Sequence, residues 1–179
     1  MKSVERLMAE HELIERGLSL LEDAIIKIEH GQALPDGFSE WVVRFFQQFA
    51  DQCHHAKEED VFFPVLKQRG ILEKGGPIGV MLYEHELGRD CVGRMREASQ
   101  TKPFDSRKFV EAAKQYVPLL HEHIFKENNV LFRVAEQVMT VADDMYVTSK
   151  FSQVEREREL SDQYAIYSND VSQWEQSFG

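Results

Sequence analysis

Two segments of the chain, CHHAKEEDVFFPVL at 53–66 and EHIFKENNVLFRVA at 122–135, align without a gap and match at His, Lys, Glu, Val, Phe and Val. Their shared core is His-x-x-Lys-Glu-x-x-Val. Upstream of each copy lies another matched pair, Glu10-His11-Glu12-Leu13 and Glu84-His85-Glu86-Leu87, with 43 and 38 residues between the paired histidines. The chain therefore reads as two similar hairpins. Each brings one isolated histidine on its first arm and one His-x-x-x-Glu on its second.

Hydrophobic periodicity makes those arms helices. Val4, Leu7, His11, Ile14, Leu18 and Ile25 recur at helical spacing until His30-Gly31. After Pro35-Asp36-Gly37, Ser39 is the expected N-cap of a second helix carrying Val43, Phe46, Ala50, His54, Glu58, Val61, Phe62 and Val65 to about Gly70. Gly75-Gly76-Pro77 opens a third, with Ile78, Met81, His85 and Val92 on one face to about Ser99. Asp105 or Ser106 caps a fourth, whose stripe runs Ala112, Tyr116, Leu119, His123, Glu127, Val130, Val134, Val138 and Val141. Pro64 and Pro118 each remove a backbone donor, so kinks or early ends are expected there. The predicted fold is all-α, an up-down-up-down four-helix bundle over 1–147 built from pseudo-repeats at about 4–69 and 77–141. Residues 148–179, polar at first and then bearing Tyr164, Tyr167, Trp174 and Phe178, read as an extra helical segment laid over the bundle or used in a homodimer.

Matching Val and Phe positions need no more than duplicated core packing. The polar matches need more. Histidine and glutamate four apart share a helix face, and here that face is the apolar stripe. An unpartnered glutamate buried there costs several kcal/mol before its pKa moves. A lone core histidine is ordinarily a hydrogen-bonded packing residue, but four of them with two glutamates, symmetric between halves, point to a metal. Imidazole and carboxylate without thiolate suit iron or manganese and are tolerated by zinc. The order His-x-x-x-Glu and the few carboxylates distinguish this set from the ferritin pattern of Glu-x-x-His.

HELI at 11–14, HHAKEEDVFFP at 54–64, EHELG at 84–88 and HIFKENNVLF at 123–132 together resemble the hemerythrin-like, or HHE cation-binding, family over about residues 4–140. The resemblance implies a hemerythrin-type bundle holding two iron ions with a bridging oxo or hydroxo group. Its metal ligands would be His11, His54, Glu58, His85, His123 and Glu127, the glutamates bridging and the histidines terminal. Oxygen-carrying hemerythrins have five histidine ligands, and the symmetric set here supplies four, so both irons would keep an exchangeable position. His55 and His121 point about 100° and 200° away from His54 and His123 on an ideal helix and are expected outside the ligand set. Ile124 in place of a second His55 agrees with that. Tyr116 reads as a core aromatic, Glu59 and the glutamates flanking His11 and His85 as solvated surface charges, and His30 as a partner for its helix's C-terminal dipole.

The remaining composition narrows the function. A net charge of -10 with scattered acids argues against nucleic acid or an anionic membrane as partner. No apolar run approaches a membrane span, and the charged N-terminus is unlike a signal peptide, so a cytoplasmic protein is expected. Cys53 and Cys91 form no Cys-x-x-Cys pair and read as small buried apolar residues. The functional expectation is a non-haem di-iron protein that binds or reacts with dioxygen, nitric oxide or peroxide. Alternatives are an iron-dependent signalling module docking a partner through its C-terminal segment, an iron-centre repair protein lacking the cysteine-bearing region known in repair members, or a site with structural metal or none.

Overall fold

The computed structural model describes residues 1–158, 160 and 162–178, and every described element of regular structure is a helix. The first helix, α1, is Lys2–Glu29. It stops at His30, whose Nδ1 donates to the Ile26 carbonyl at 2.8 Å, while Gly31 at φ 71° reverses the chain.

The second helix, α2, starts as Phe38–Arg44, passes through π-helical stretches at Phe45–His55 and Glu58–Phe62, and finishes as Phe63–Gln68. Its N-cap is Gly37 at φ 80°, not Ser39, whose hydroxyl donates to Glu40 instead of capping. The left-handed glycine lets the helix begin two residues earlier than the side-chain signal suggests. Pro64 falls at the start of the last α-helical stretch, where the hydrogen-bond pattern is already changing from π to α. Its missing N–H is absorbed there, and the helix continues.

Pro77–Gln100 forms α3, with proline in its first turn as expected. Gly76 before it is required by space: a Cβ there would lie 2.3 Å from the Leu72 carbonyl oxygen. The fourth helix, α4, is Ser106–Lys126, a π-helical turn Glu127–Leu131, and Phe132–Val138, with Asp105 accepting from the Lys108 amide as its N-cap. Pro118 lies inside it without ending it. The π turn shifts the facing residues: Leu131 and Phe132 are buried, whereas Val130, expected on the stripe, is 52 % exposed.

The chain breaks at Met139, and Thr140 opens α5, Val141–Glu157, through a reciprocal capping box with Asp143. Val141 therefore belongs to a new helix, exposed at its first turn, and α5 spans the point where the C-terminal extension was expected to begin. The last helix, α6, is Gln163–Phe178.

Helices α1 to α4 pack in a closed set of neighbours, α1 on α2 and α4, α3 on α2 and α4. Against them lie α5, on α1 and α2, and α6, also on α1 and α2. Val147 and Phe151 fix α5 with fully buried side chains, contributing about 1.5–3 kcal/mol each by area. Tyr167, Trp174 and Phe178 fix α6 against Phe38, Trp41 and Phe45, so the aromatic tail is part of the packed body. No described helix is long and apolar enough to cross a membrane.

The apolar interior is not continuous. One cluster runs from Leu13 to Ala50 and Cys91 to Ile124 and includes Tyr167 and Val171. A second gathers Val4, Leu7, Val61–Leu66, Ile78, Met81, Leu131–Ala135, Val147 and Phe151. Between them, on all four main helices, lies a layer of histidine and glutamate.

Candidate metal centre

Each main helix delivers one rank of polar side chains into that layer: His11 from α1, His54 and Glu58 from α2, His85 from α3, His123 and Glu127 from α4. None of the six is more than 1 % exposed. His11, His54, Glu58 and Glu127 place ligand atoms within 4.8 Å of one another, and so do Glu58, His85, His123 and Glu127. The two groups share both glutamates. His11 and His54 are 4.5 Å apart between ring centroids at 61°, and His85 and His123 are 4.8 Å apart at the same angle, so the sequence repeat reappears as a structural one.

Glu58 turns one oxygen to each pair, Oε1 lying 3.5 Å from His54 Nε2 and Oε2 lying 3.4 Å from His85 Nε2. Glu127 Oε2 sits between the pairs, 3.2 Å from His11 Nε2 and 3.3 Å from His123 Nε2. The ring faces away from the centre are all engaged. His54 Nδ1 donates to Glu10 at 2.9 Å, His11 Nδ1 to Asn128 at 2.8 Å, His85 Nδ1 to Glu59 at 2.6 Å and His123 Nδ1 to Glu84 at 3.0 Å. With an acceptor at every Nδ1, each ring can keep its proton there and turn an Nε2 lone pair inward, the tautomer that metal binding requires.

Six of the inward atoms lack a hydrogen-bond partner, while the Nε2 atoms of His85 and His123 face each other at 3.2 Å. His11 Nε2, His54 Nε2 and all four oxygens of Glu58 and Glu127 are buried without a hydrogen bond. Such groups are expensive unless a cation compensates them, and a borderline-to-hard nitrogen and oxygen set fits iron or manganese. The titrations report the same tension. Burial and then the charge of Glu127 push the Glu58 carboxyl well above the usual range. Burial also raises Glu127, but the charge of His123 and the closeness of the His11 ring outweigh it and hold Glu127 well below. Burial drives the His54 and His85 imidazoles well below their ordinary pKa, and neighbouring histidines add to the effect. At His123, burial is overcome by Glu127 and Glu84, which bring it to about 9.

The second layer corrects the sequence reading. Glu10, Glu84 and Glu59, expected on the surface, orient ligand-face histidines instead, and only Glu12 and Glu86 of the flanking set are exposed. Lys57 binds Glu10 and Lys126 binds Glu84, completing a Lys-Glu-His chain in each half. The signal was present: glutamate before histidine and lysine three after it repeat as faithfully as the ligands do.

His55 is buried as well. The wide π turn keeps it inside with His54, 4 % exposed, and its ring stacks on His85 at 3.8 Å with planes 17° apart. Although its ligand atoms lie within 4.8 Å of those of His85 and His123, a metal must lie in the plane of each imidazole it binds, and two nearly parallel rings in van der Waals contact cannot share one. His55 is a wall residue, with Nδ1 3.5 Å from Asp51. Behind it a cavity of about 270 Å³, lined by Gln47, Asp51, Arg89, Arg96 and Tyr116, reaches toward solvent. Tyr116 packs edge-on against Phe46 in the core, as expected. His121 stays half-exposed, paired with Glu15 at 2.7 Å. Cys53 and Cys91 are free and buried, and burial raises the Cys53 thiol to about 11, which suits inert packing residues.

Comparison with known proteins agrees with this geometry. Residues 2–135 match the family model described as the Hemerythrin HHE cation binding domain. Iron-sulfur cluster repair proteins YtfE from Salmonella schwarzengrund, Salmonella paratyphi B and Salmonella newport are each 30% identical to the chain over 105 residues, 55% of this chain and 47% of the relative. The match thus spans about half the length of those curated relatives. No solved structure matches the chain.

Proposed function

Because the chain belongs to the hemerythrin HHE cation-binding domain family, we propose that it is a non-haem di-iron protein that binds or reacts with dioxygen, nitric oxide or peroxide. The observation that carries the reading is the ring of buried inward-facing donors, six of them without a hydrogen-bond partner, arranged as two histidine pairs sharing two carboxylates. His11 and His54 would hold one iron and His85 and His123 the other, with Glu58 and Glu127 within reach of both. The mutual packing of α1 to α4 supports an up-down-up-down bundle, with α5 and α6 laid outside.

Bound there, an iron pair would supply redox capacity and a position for a small ligand, with two histidines and two shared carboxylates as the protein donors within reach of each iron. The chain's own residues supply the rest. The four Nδ1 bonds hold the imidazoles in place, which saves reorganisation when a ligand arrives. Phe132 stacks on His11 at 5.5 Å and Phe63 on His85 at 6.0 Å, closing the layer to water from one side. The cavity beside His55 gives a polar approach from the other.

A second reading, repair of damaged iron centres, is supported by the role that the Salmonella relatives are named for. Metal analysis of anaerobically purified protein followed by stopped-flow spectroscopy of the reduced form separates these. About two irons per chain and a fast reaction with one of the three ligands are expected. Less than one iron, with zinc filling the site, refutes the di-iron reading; iron-loaded protein inert to all three ligands but restoring a damaged iron-sulfur enzyme favours repair.

A further inference from the structure

We propose that Glu155, on α5 and outside the family match, is a positioning residue for His54 and makes the His11–His54 metal position the tighter of the two. This rests on the metal reading above. Glu155 Oε1 accepts from Lys57 Nζ at 2.7 Å, Lys57 also binds Glu10, and Glu10 Oε2 accepts from His54 Nδ1 at 2.9 Å. Arg6 binds the other oxygen of Glu155. Four alternating charges thus run from the C-terminal region to the back of one ligand imidazole.

The sequence repeat provides an internal control. In the second half the chain is His123, Glu84 and Lys126, with 3.0 Å between His123 Nδ1 and Glu84 Oε2, and no further carboxylate meets Lys126 among the described residues. Lys126 is 35 % exposed where Lys57 is 0 %. Water competes for Lys126 and Glu84 but not for Lys57 and Glu10. A charge-assisted hydrogen bond that is dry and held at both ends keeps its geometry, and loss of a partner behind a ligand histidine ordinarily lowers metal affinity by about 10–100-fold. The other members of the pairs differ as well, His11 facing the Asn128 amide and His85 the Glu59 carboxylate, and α5 adds behind His54 a support that its counterpart His123 lacks.

Equilibrium titration of the full chain with cobalt(II), read by its d–d absorbance, tests this. Two-step uptake is expected in the wild type. Glu155→Gln should weaken the first step about tenfold and the second less than twofold, and Glu84→Gln should do the reverse. In the zinc(II)-loaded protein, the His54 Nδ1–H resonance should shift in Glu155→Gln while that of His123 stays; a merely structural role would not separate the two. Glu155→Asp, which keeps the carboxylate, should recover part of the affinity even if the glutamine variant folds poorly. Equal weakening of both steps, or an unmoved His54 resonance, overturns the positioning role alone. No cobalt uptake by the wild type overturns the metal reading itself.

Discussion

Replacing Glu58 by methionine should change protein stability in opposite directions with and without metal. Glu58 is fully buried, neither oxygen has a partner with hydrogen-bond geometry, and burial together with Glu127 pushes its carboxyl up. An unsatisfied buried polar group costs about 1–3 kcal/mol, and methionine fills nearly the same volume without that penalty. In chelator-treated protein the variant should be more stable by about 2 kcal/mol, or roughly 4–8 °C in Tm for a chain of this size. With metal the sign inverts. Occupancy at one hundred times Kd stabilises a wild-type site by about 2.7 kcal/mol. The variant lacks the oxygens that face both histidine pairs, at 3.5 and 3.4 Å, and should forfeit most of that at both positions. Thermal melts followed by circular dichroism, in chelator and in excess zinc(II), give all four values. If the variant melts lower than wild type in chelator by as much as in zinc, Glu58 is an ordinary packing residue and the reasoning fails.

Two further outcomes follow from the fold. Val130→Asp should change stability by less than about 0.5 kcal/mol, as at other exposed positions, while Leu131→Ala should cost about 2–5 kcal/mol; urea denaturation giving the reverse order would show that the π turn of α4 is not present in solution. Tyr167 donates to Gln48 at 2.7 Å, and burial raises its phenol to about 12. The folded state therefore favours the neutral ring, a contribution intact below the ordinary tyrosine pKa and lost as pH rises through about 12. Burial raises the Tyr116 phenol as well, so absorbance at alkaline pH should show two tyrosines ionising later than the rest, and Tyr167→Phe should remove one of those two late phases.

Which of these features the sequence reveals depends on whether period or partnership decides them. The helical stripes and the duplicated His-x-x-x-Glu were readable because an α-helix puts residues four apart on one face, and the structure gathers those same six side chains. Departures arise where the period itself changes. Angles from an ideal helix put Val130 on the buried stripe, and this fails because a π-helical turn rotates fewer degrees per residue; a π turn also brings His55 into the interior beside His54. Glu10 and Glu84 were misread for another reason: a charged residue beside a ligand looks solvated until its lysine partner on the next helix is known. The Gly37 cap hid behind Ser39 because a positive φ leaves no side-chain signal. The contact between Glu155 and Lys57 is non-local, between residues 98 positions apart, and no periodicity reports it.

The divided interior has a consequence for how such a chain tolerates change. Each apolar cluster closes on its own side of the histidine and glutamate layer, so a packing defect in one meets polar atoms before it reaches the other. Substitutions at Phe109 and Phe151, on opposite sides, share no neighbours, and their energetic effects should simply add. The two oily bodies can drift separately in sequence, and the polar joint between them is where their histories must stay matched.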